Sequence, residues 1–381
     1  MNIFVIGAGA SGLVASIYAS QKGKVTILEK NKIVGKKLNI TGNGKCNFLN
    51  DDFNTIHYNQ NIDFLINEDG KNKVLNLMKK IGVSYYQKNG YYYPLSNQAI
   101  TITNALLKEA LINKVNIEYE TEVEDIRCNN SGFEIITNKG IYHADKLIIA
   151  SGSCAFKKTG SDGKLYNILK KLGHHIKDVK PALVSLKTDK VYKDISGVRT
   201  NAIIKMDDKE ISGEVQFTNY GLSGICIFNI SRNALNKKIY IDLLPNIDIL
   251  SYLNETNKIV KERNISELLD GLLNYKLTNL ILKLSNIQSE ERFDMLSKKQ
   301  LRDLEKNIKN LEYTIIGTND FDSAQTCTGG ISLKDIDHHF KSKIVDNLYI
   351  IGEILDVDGE CGGYNLAFAF LSGMESGKCL E

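Results

Sequence analysis

Three glycines near the start of the chain have the spacing of a nucleotide-binding loop. Gly7, Gly9 and Gly12 form a GxGxxG pattern that follows the apolar segment NIFVI and precedes the helical segment LVASIYAS. In this context Gly7 permits a tight turn, Gly9 lets a pyrophosphate approach the backbone, and Gly12 allows close packing of helix on strand. The helix N-terminus, with Ala10 and Ser11, supplies free N–H groups and the positive end of a dipole. The pattern therefore predicts a dinucleotide site.

An acidic residue indicates which dinucleotide binds. Glu29 ends the second predicted strand, KVTILEK, 22 residues after Gly7. A carboxylate at this position accepts hydrogen bonds from ribose hydroxyls and disfavours a 2′-phosphate. The ligand is therefore expected to be FAD or NAD rather than NADP.

Two further glycine-rich stretches suit the same ligand. The stretch GKKLNITGNGKCN (residues 35–47) is too rich in glycine for a good helix and too charged for a buried strand. Near the C-terminus, LYIIGE places Glu353 after a strand, and GGYN begins a helix. The N–H groups of Gly363, Tyr364 and Asn365 are expected to face the N1–C2=O edge of a flavin, where negative charge develops on reduction.

The hydrophobic patterns predict the elements that position these loops. After the first strand–loop–helix–strand unit, helices are predicted over residues 71–81 and 101–113. Three strands follow, VNIEYETEVEDIRC, GFEIITN and GIYHADKLIIASG, with turns at Asn129–Gly132 and Asn138–Gly140. NAD dehydrogenases continue instead with regular βα units. A β-meander and a return at the C-terminus are typical of glutathione-reductase-like flavoproteins, which favours FAD over NAD.

The middle of the chain is predicted to be an insertion. Short alternating segments follow Pro181 and indicate strands, and helical patterns follow them, one with a capping box at Ser297. The predicted fold class is α/β, with a Rossmann-like FAD-binding domain and an inserted β-barrel-like plus helical subdomain. The predicted parts are 1–182 and 325–381 for the FAD-binding domain, 183–246 for the β subdomain and 247–324 for the helical subdomain.

The motifs together resemble those of one flavoprotein family. GAGASGL, GKKLNITGNGKCN, LIIASGSCAFKKTGSDG, GEVQFTNYGLSG, TCTGGIS and IGEILDVDGECGGYNLAFAFLSG occur in this order, from residue 1 to about 377. They are similar to the motifs of the aminoacetone oxidase family, or BaiN-type NAD(P)/FAD-dependent oxidoreductases. The resemblance implies a two-dinucleotide-domain-like fold, tightly held FAD, and a substrate entrance near the YGLSG loop (220–224). Members have been linked to the reduction of unsaturated bile-acid intermediates.

These observations predict a set of FAD contacts on the glycine-rich loops and the strand ends. The predicted cofactor-binding residues are Gly7, Gly9, Ala10, Ser11, Gly12, Glu29, Lys30, Lys37, Leu38, Thr41, Gly42, Asn43, Gly44, Lys45, Cys46, Asn47, Val123, Ser151, Gly152, Gly352, Glu353, Asp358, Gly362, Gly363, Tyr364, Asn365 and Ala367. No metal site is predicted, because the paired histidines at 174–175 and 338–339 point in different directions and no carboxylate spacing completes a ligand set.

Three side chains are candidates for catalysis at the flavin. Tyr220 and Tyr364 are candidate proton donors for the reduction of an activated C=C bond. Cys46 has two interpretations: a thiolate activated by Lys45, or a small residue packed beside the cofactor, which the absence of a CxxC partner favours. The segment 157–163, KKTGSDG, either holds a phosphate or substrate anion or forms a solvated turn.

The composition limits the partners. The 381 residues carry a net charge of +3 from 48 basic and 45 acidic residues, which predicts neither a nucleic-acid nor a membrane partner. Seven cysteines without a CxxC motif indicate a reducing, cytoplasmic setting. No apolar run of eighteen residues predicts a transmembrane helix.

The leading prediction for function is an FAD-dependent oxidoreductase. It would transfer hydride between a nicotinamide donor or a small organic substrate and the flavin N5, and would reduce an activated C=C bond of a hydrophobic substrate. No second GxGxxG is present, so NAD(P)H is expected to bind transiently. The alternatives are an FAD-dependent tRNA-modifying enzyme, an amine or ketone oxidase that uses O₂, and a flavin-binding sensor without turnover.

Overall fold

The chain divides into two compact units. The computed structural model describes residues 1–129 and 132–380. Met1–Pro181 and Phe321–Glu381 form the first unit, and Ala182–Asp320 form the second. The turn predicted at Asn129–Gly132 falls partly on residues 130–131, outside the described residues. In the described part of the chain, every helix is too short or too polar to cross a bilayer.

The first unit is formed by helices and strands that lie before and after the insertion in the sequence. Up to the insertion they are β1 (Asn2–Ile6), α1 (Ala10–Ala19), β2 (Lys24–Leu28), β3 (Leu49–Asn50), α2 (Glu68–Lys80), β4 (Tyr85–Lys88), β5 (Tyr91–Pro94), α3 (Ala99–Ile112), β6 (Asn116–Glu118), β7 (Val123–Asn129), β8 (Gly132–Thr137), β9 (Gly140–Ala144), β10 (Lys146–Ile149), α4 (Lys164–Lys171) and β11 (Ile176–Ala182). The insertion holds β12 (Leu186–Thr188), β13 (Arg199–Met206), β14 (Lys209–Phe217), β15 (Gly221–Ser223), α5 (Ile225–Ile230), β16 (Lys238–Asp242), α6 (Ile249–Ile259), α7 (Ile265–Asp270), α8 (Tyr275–Leu284), α9 (Lys298–Lys309) and β17 (Leu311–Thr318). After it come β18 (Thr326–Ile331), β19 (Leu348–Ile350) and α10 (Tyr364–Lys378).

A five-stranded parallel sheet forms the centre of the first unit. Its strand order is β19-β10-β1-β2-β6. Strands β1, β10 and β19 are almost continuously buried, because helices and loops cover both faces of a parallel sheet. The carboxyl ends of parallel strands share one edge, so the loops after Ile6, Leu28, Ile149 and Ile350 collect there.

Helices α1 and α10 pack closely because glycines face the contact. A Cβ on Gly373 would lie 2.5 Å from the carbonyl oxygen of Ser11, and one on Gly377 would lie 2.6 Å from that of Ala15. Both contacts advance along the two helices in the same direction, so α1 and α10 run parallel. Their N-termini therefore point toward the same edge of the sheet.

The short sheets of the first unit confirm some predicted elements and correct others. The Asn89–Gly90 pair predicts a turn between two short extended segments, and in the structure it joins β4 and β5, which form a three-stranded sheet with β3. The predicted single strand at VNIEYETEVEDIRC is wrong: it divides into β6, which joins the parallel sheet, and β7, which joins the β7-β8-β9 meander. Segment GIYHADKLIIASG divides in the same way into β9 and β10. The motif TCTGGIS contains strand β18 (Thr326–Ile331), which pairs with β11. Local patterns continue across these breaks and do not reveal a change of partner strand.

The second unit is a closed barrel with attached helices. The strand order is β12-β15-β14-β13-β16-β17, and buried residues alternate along β13 as expected for one packed face. Strand β17 closes the barrel, although the sequence analysis assigned its residues to the helical part. The predicted capping box is confirmed: the Ser297 hydroxyl accepts the N–H of Gln300 at the start of α9. Apolar residues of the barrel and of α6–α9 form one continuous core.

Candidate functional site

A cleft opens at the carboxyl edge of the parallel sheet. The loops after β1, β2 and β10, the first turn of α4 and the N-terminal half of α10 line it. The predicted cofactor-binding residues that line this cleft are Gly7, Gly9, Ala10, Ser11, Glu29, Lys30, Lys37, Leu38, Thr41, Val123, Ser151, Gly152, Glu353 and Asn365. The sequence thus brings residues from both ends of the chain to one surface of the first unit.

Three helices begin at this cleft with a glycine at the N-cap. Gly9, Gly163 and Gly363 precede α1, α4 and α10, and in the described structure no side chain caps any of the three first turns. The first N–H groups of a helix have no intrahelical acceptor, and they lie at the positive end of the helix dipole. The residues of these turns that line the cleft are Ala10, Ser11, Lys164, Leu165, Asn365 and Leu366. The arrangement suits an elongated anionic ligand.

The buried carboxylate of Glu29 is oriented by nearby donors. The backbone N–H of Ala8 donates to Oε2 at 2.8 Å. The backbone N–H of Asn31 and its side-chain amide donate to Oε1 at 2.8 and 2.7 Å. A carboxylate has about four lone-pair sites, so Glu29 retains capacity for a further donor from the cleft. This geometry suits the ribose hydroxyls that the sequence predicts there.

A polar network centred on Glu353 lies in the wall of the cleft. The Lys37 ammonium donates to both Glu353 oxygens at 2.7 Å. The hydroxyls of Ser153 and Thr326 donate to Oε1 at 2.7 and 3.2 Å. The two hydroxyl donors were not predicted, because they come from a loop and a strand far apart in sequence. Burial raises the pKa of the neighbouring Cys327 to about 12, so this thiol stays protonated at neutral pH.

The segment after residue 157 forms another wall of the cleft. Thr159 to Leu165 line it, and the ammonium of Lys30 pairs with Asp162 at 3.0 Å. The side-chain amide of Asn31 donates to the carbonyl of Thr159 at 3.2 Å. Burial raises the pKa of Asp162, but the bonds from Lys30 and from the Lys164 backbone N–H outweigh it and hold that pKa below its ordinary value. The lysine at 157 instead lies 5.8 Å above the Phe321 ring.

The stretch GKKLNITGNGKCN is a kinked 3₁₀ helix (Leu38–Gly44) with only its first half at the cleft. Gly42 and Asn43 have left-handed backbones, with φ of 55° and 57°. The Cys46 side chain is fully buried, and burial raises its pKa to about 12, which favours the packing interpretation over the thiolate. Lys45 is exposed, and the buried Oδ1 of Asn47 makes no hydrogen bond within the described residues.

The loop before α10 is fixed by side chains that the sequence analysis did not single out. His57 bonds Glu360 at 3.0 Å and Asp52 at 2.9 Å, and its ring stacks on Tyr364 at 4.6 Å. The hydrogen bond to Glu360 raises the pKa of His57, against the effect of burial. The Tyr364 hydroxyl donates to the Asp52 carbonyl, and the Asn365 amide bridges both backbone groups of Gly359. A histidine between two carboxylates leaves no local sequence signal.

The remaining predicted residues lie away from the lining of the cleft. Gly12 packs under the loop, where a Cβ would lie 1.9 Å from the Gly7 carbonyl oxygen. Tyr220 is half-buried in the second unit, next to β15. The others outside the lining are Gly42, Asn43, Gly44, Lys45, Cys46, Asn47, Gly352, Asp358, Gly362, Gly363, Tyr364 and Ala367. Beside Glu353 in sequence, Asp356 pairs with Lys177, and the backbone N–H of Asp358 donates to the Asn59 side chain.

The glycine loop provides a direct test of whether FAD fits the cleft. A Cβ built on Gly9 would meet no atom within 4 Å, so the backbone there faces open space. Gly7, in contrast, has a φ of 102°, and its Cβ would lie 2.6 Å from the Ala150 carbonyl. Space at the second glycine, with an uncapped helix behind it, is what a pyrophosphate requires. The residues present therefore fit the dinucleotide.

Comparisons with known proteins identify the family to which the chain belongs. The family described as the HI0933-like protein Rossmann domain matches residues 1–379. The chain is 34% identical over 401 aligned residues to the 3-dehydro-bile acid delta(4,6)-reductase of Clostridium scindens, covering 99% of this chain and 98% of that protein. It is 28% identical over 383 residues to the ribosomal RNA dihydrouridine synthase of Haemophilus influenzae, covering 97% and 95%. The protein of that name from Escherichia coli is 27% identical over 388 residues, covering 97% and 96%.

Solved structures share the fold at low sequence identity. The 3-ketosteroid-delta4-(5alpha)-dehydrogenase from Rhodococcus jostii RHA1 is 13% identical with a TM-score of 0.53, over 99% of this chain and 95% of that one. The open conformation of a flavocytochrome c3 fumarate reductase is 14% identical with a TM-score of 0.50, over 99% of this chain and 77% of that one.

The match of the family over residues 1–379 shows that the chain belongs to the HI0933-like Rossmann family, as its resemblance to BaiN-type flavoproteins predicted. It is an FAD-dependent oxidoreductase.

Proposed function

We propose that this protein reduces a C=C bond conjugated to a carbonyl group, with NAD(P)H as the electron donor. The observation that carries the proposal is a reaction common to both groups of relatives. One relative is named for reduction of C=C bonds at positions 4 and 6 of a 3-oxo bile acid. The other two are named for dihydrouridine, which arises when the C5=C6 bond of uridine, conjugated to the C4 carbonyl, gains two hydrogens. The names thus describe one chemistry on two molecules.

The residues of the cleft have separate roles in this proposal. FAD, when bound, would supply hydride-transfer chemistry. The N-terminus of α1, at Gly9, would hold the pyrophosphate, and Glu29 would accept hydrogen bonds from the ribose hydroxyls. Glu353, already paired with Lys37, would accept a hydrogen bond from a hydroxyl of the ribityl chain. The uncapped N-terminus of α10, at Gly363, would stabilise negative charge on the flavin.

The reaction also needs a proton for the carbon next to the carbonyl. Tyr220 is the proposed donor, because the family resemblance implies a substrate entrance near its loop. The Tyr364 hydroxyl, the other candidate, donates to the Asp52 carbonyl. We expect Tyr220→Phe to slow substrate reduction by roughly 10²–10⁴-fold. Reduction of the flavin by NAD(P)H should stay unchanged, since that step requires no such proton. The half-exposed Tyr240 of the second unit is the matched control, and Tyr240→Phe should change neither step.

A small hydrophobic enone is the proposed substrate, and uridine in RNA is the second candidate. The identity to the bile-acid reductase favours the first. The two relatives named for dihydrouridine support the second, because each matches 97% of this chain. A net charge of +3 adds no support for an RNA partner. The test offers NAD(P)H with either a 3-oxo-Δ4 steroid or ribosomal RNA that lacks dihydrouridine. Mass spectrometry then measures which molecule gains two hydrogens. If neither the steroid nor the RNA gained two hydrogens, the proposal would be contradicted.

A further inference from the structure

The geometry points to a zinc-binding site at the C-terminal end of α10, outside the cleft. His339, Glu375 and Cys379 each offer one ligand atom there, and these three atoms all lie within 4.8 Å of one another. The site is independent of the proposed function, because none of the three residues lines the cleft. The sequence predicts no metal site, because no carboxylate spacing near the paired histidines completes a ligand set, and Glu375 lies 36 residues after His339.

The three donor atoms lie close enough together to surround one ion. His339 Nδ1 lies 2.8 Å from Glu375 Oε1, and Cys379 Sγ lies 3.5 Å from the same oxygen. Ligands bound to one zinc ion at about 2.0–2.3 Å are separated by about 3.3–3.8 Å in tetrahedral geometry. The histidine nitrogen and the glutamate oxygen must therefore move apart by side-chain rotation for the hydrogen-bonded cluster to become a ligand set.

Two of the ligands are fixed by the helix itself. Glu375 and Cys379 are four residues apart, so they lie on the same face of α10 and its last turn. The N–H of Cys379 donates to the Glu375 carbonyl at 3.1 Å. The Tyr349 hydroxyl donates to the Cys379 carbonyl at 3.3 Å, which holds the end of the helix against β19. The backbone of Cys379 is thus held in place by two hydrogen bonds.

The third ligand is presented by a tightly folded loop. The Asp337 side chain accepts the backbone N–H groups of His339 at 2.8 Å and Lys341 at 2.9 Å. Phe340, between them, is fully buried and anchors the loop in the core. His339 itself is exposed, so its ring can rotate toward an ion without moving the backbone.

The donor set selects zinc among common ions. Sulfur, imidazole nitrogen and carboxylate oxygen together suit zinc, whereas calcium and magnesium require oxygen ligands. Zinc binding at this cluster forms a Zn–S bond and releases the thiol proton to solvent. Three protein ligands leave the fourth position to water.

The test uses the full-length, FAD-loaded protein without an affinity tag, after treatment with a chelator. Calorimetric titration with Zn²⁺ should give one site per chain and raise the unfolding temperature. Co²⁺ in the same site should show tetrahedral d–d absorption at wavelengths longer than those of the flavin. His339→Asn and Cys379→Ser should each weaken Zn²⁺ binding at least roughly tenfold, with flavin reduction by NAD(P)H unchanged.

Neighbouring residues provide matched controls for both variants. His338 stacks on the Phe64 ring at 4.5 Å, and Cys128 is exposed on β7. His338→Asn and Cys128→Ser should bind Zn²⁺ as the unsubstituted protein does. Equal loss in the controls, or no stoichiometric binding by the unsubstituted protein, would overturn the proposal.

Discussion

The second and third glycines of the first loop should respond in opposite ways to the same substitution. Gly9 has an extended backbone, with φ −82° and ψ −167°, and its Cβ would face open space in the cleft. Gly12 lies one turn on, and its Cβ would lie 1.9 Å from the Gly7 carbonyl oxygen. We therefore expect Gly9→Ala to affect the ligand and Gly12→Ala to affect the fold.

The structure gives the size of both effects. An alanine at Gly9 gains about 0.4–1 kcal/mol from the unfolded chain and loses a similar amount as a poorer N-cap, so the free energy of unfolding should change little. Displacing the pyrophosphate from one charge-assisted hydrogen bond costs about 1.5–3 kcal/mol, or roughly 10- to 150-fold in the Kd for FAD. An alanine at Gly12 overlaps a backbone atom that cannot move aside, which costs about 1–3 kcal/mol of stability.

Two measurements on the same preparations separate these effects. Urea unfolding of the FAD-free proteins gives the free energy of unfolding, and quenching of flavin fluorescence gives the Kd for FAD. Gly9→Ala should keep the stability of the unsubstituted protein and lose affinity, while Gly12→Ala should lose stability. Unaltered FAD affinity in Gly9→Ala would refute the placement of the pyrophosphate at this loop.

Three other predictions concern the surroundings of the cleft. His57→Gln should cost about 1–2 kcal/mol at pH about 5.5 and much less at pH about 9, by urea unfolding. The reason is that Glu360 and Asp52 raise the pKa of His57, so its stabilisation is full below the unfolded pKa and is lost as the pH rises through the folded one; an equal loss at both pH values would contradict this. Cys46→Ser should leave the Kd for FAD and the rate of flavin reduction within about twofold, because the buried thiol stays protonated. A rate roughly a hundredfold slower would show instead that the thiol takes part in the reaction. Gly373→Ala should lower the free energy of unfolding by about 1–3 kcal/mol through the α1–α10 contact, and unchanged stability would contradict that packing.

The histidine prediction has a matched control elsewhere in the first unit. His143 is exposed on β9, far along the chain from the loop that His57 holds. His143→Gln should leave the difference in stability between the two pH values as it is in the unsubstituted protein. The comparison removes the contribution of the other titrating groups, which both proteins share.

The parts of the site that lie within a single loop can be predicted from the local sequence. The glycine loop, Glu29 and the GGYN helix start are predictable because each depends on backbone conformation and on residues close in sequence. The hydroxyls of Ser153 and Thr326 on Glu353 are not predictable in this way, since they meet only when β10 and β18 are placed. The state of Cys46 is also not predictable from local sequence, because the burial that raises the pKa of its thiol depends on the fold of the whole unit.

For the fold, too, local features can be predicted from the sequence, whereas pairings between distant strands cannot. Apolar runs such as NIFVI predict buried strands, and the GxGxxG context predicts the order of the first unit. The division of the predicted strand at 115–128 between two sheets depends on partner strands distant in sequence. The closure of the barrel by β17 depends on pairing with β12 and β16, which no local pattern encodes.

Anaerobic reoxidation of the flavin tests the central claim most directly. The purified protein is reduced with NADH or NADPH until the flavin absorption at about 450 nm is bleached, and a conjugated enone is then added without oxygen. The account predicts that the absorption returns in proportion to the enone and that the product carries two additional hydrogens. A reduced flavin that only O₂ reoxidises, with steroid enones and uridine-containing RNA both left unchanged, would contradict it.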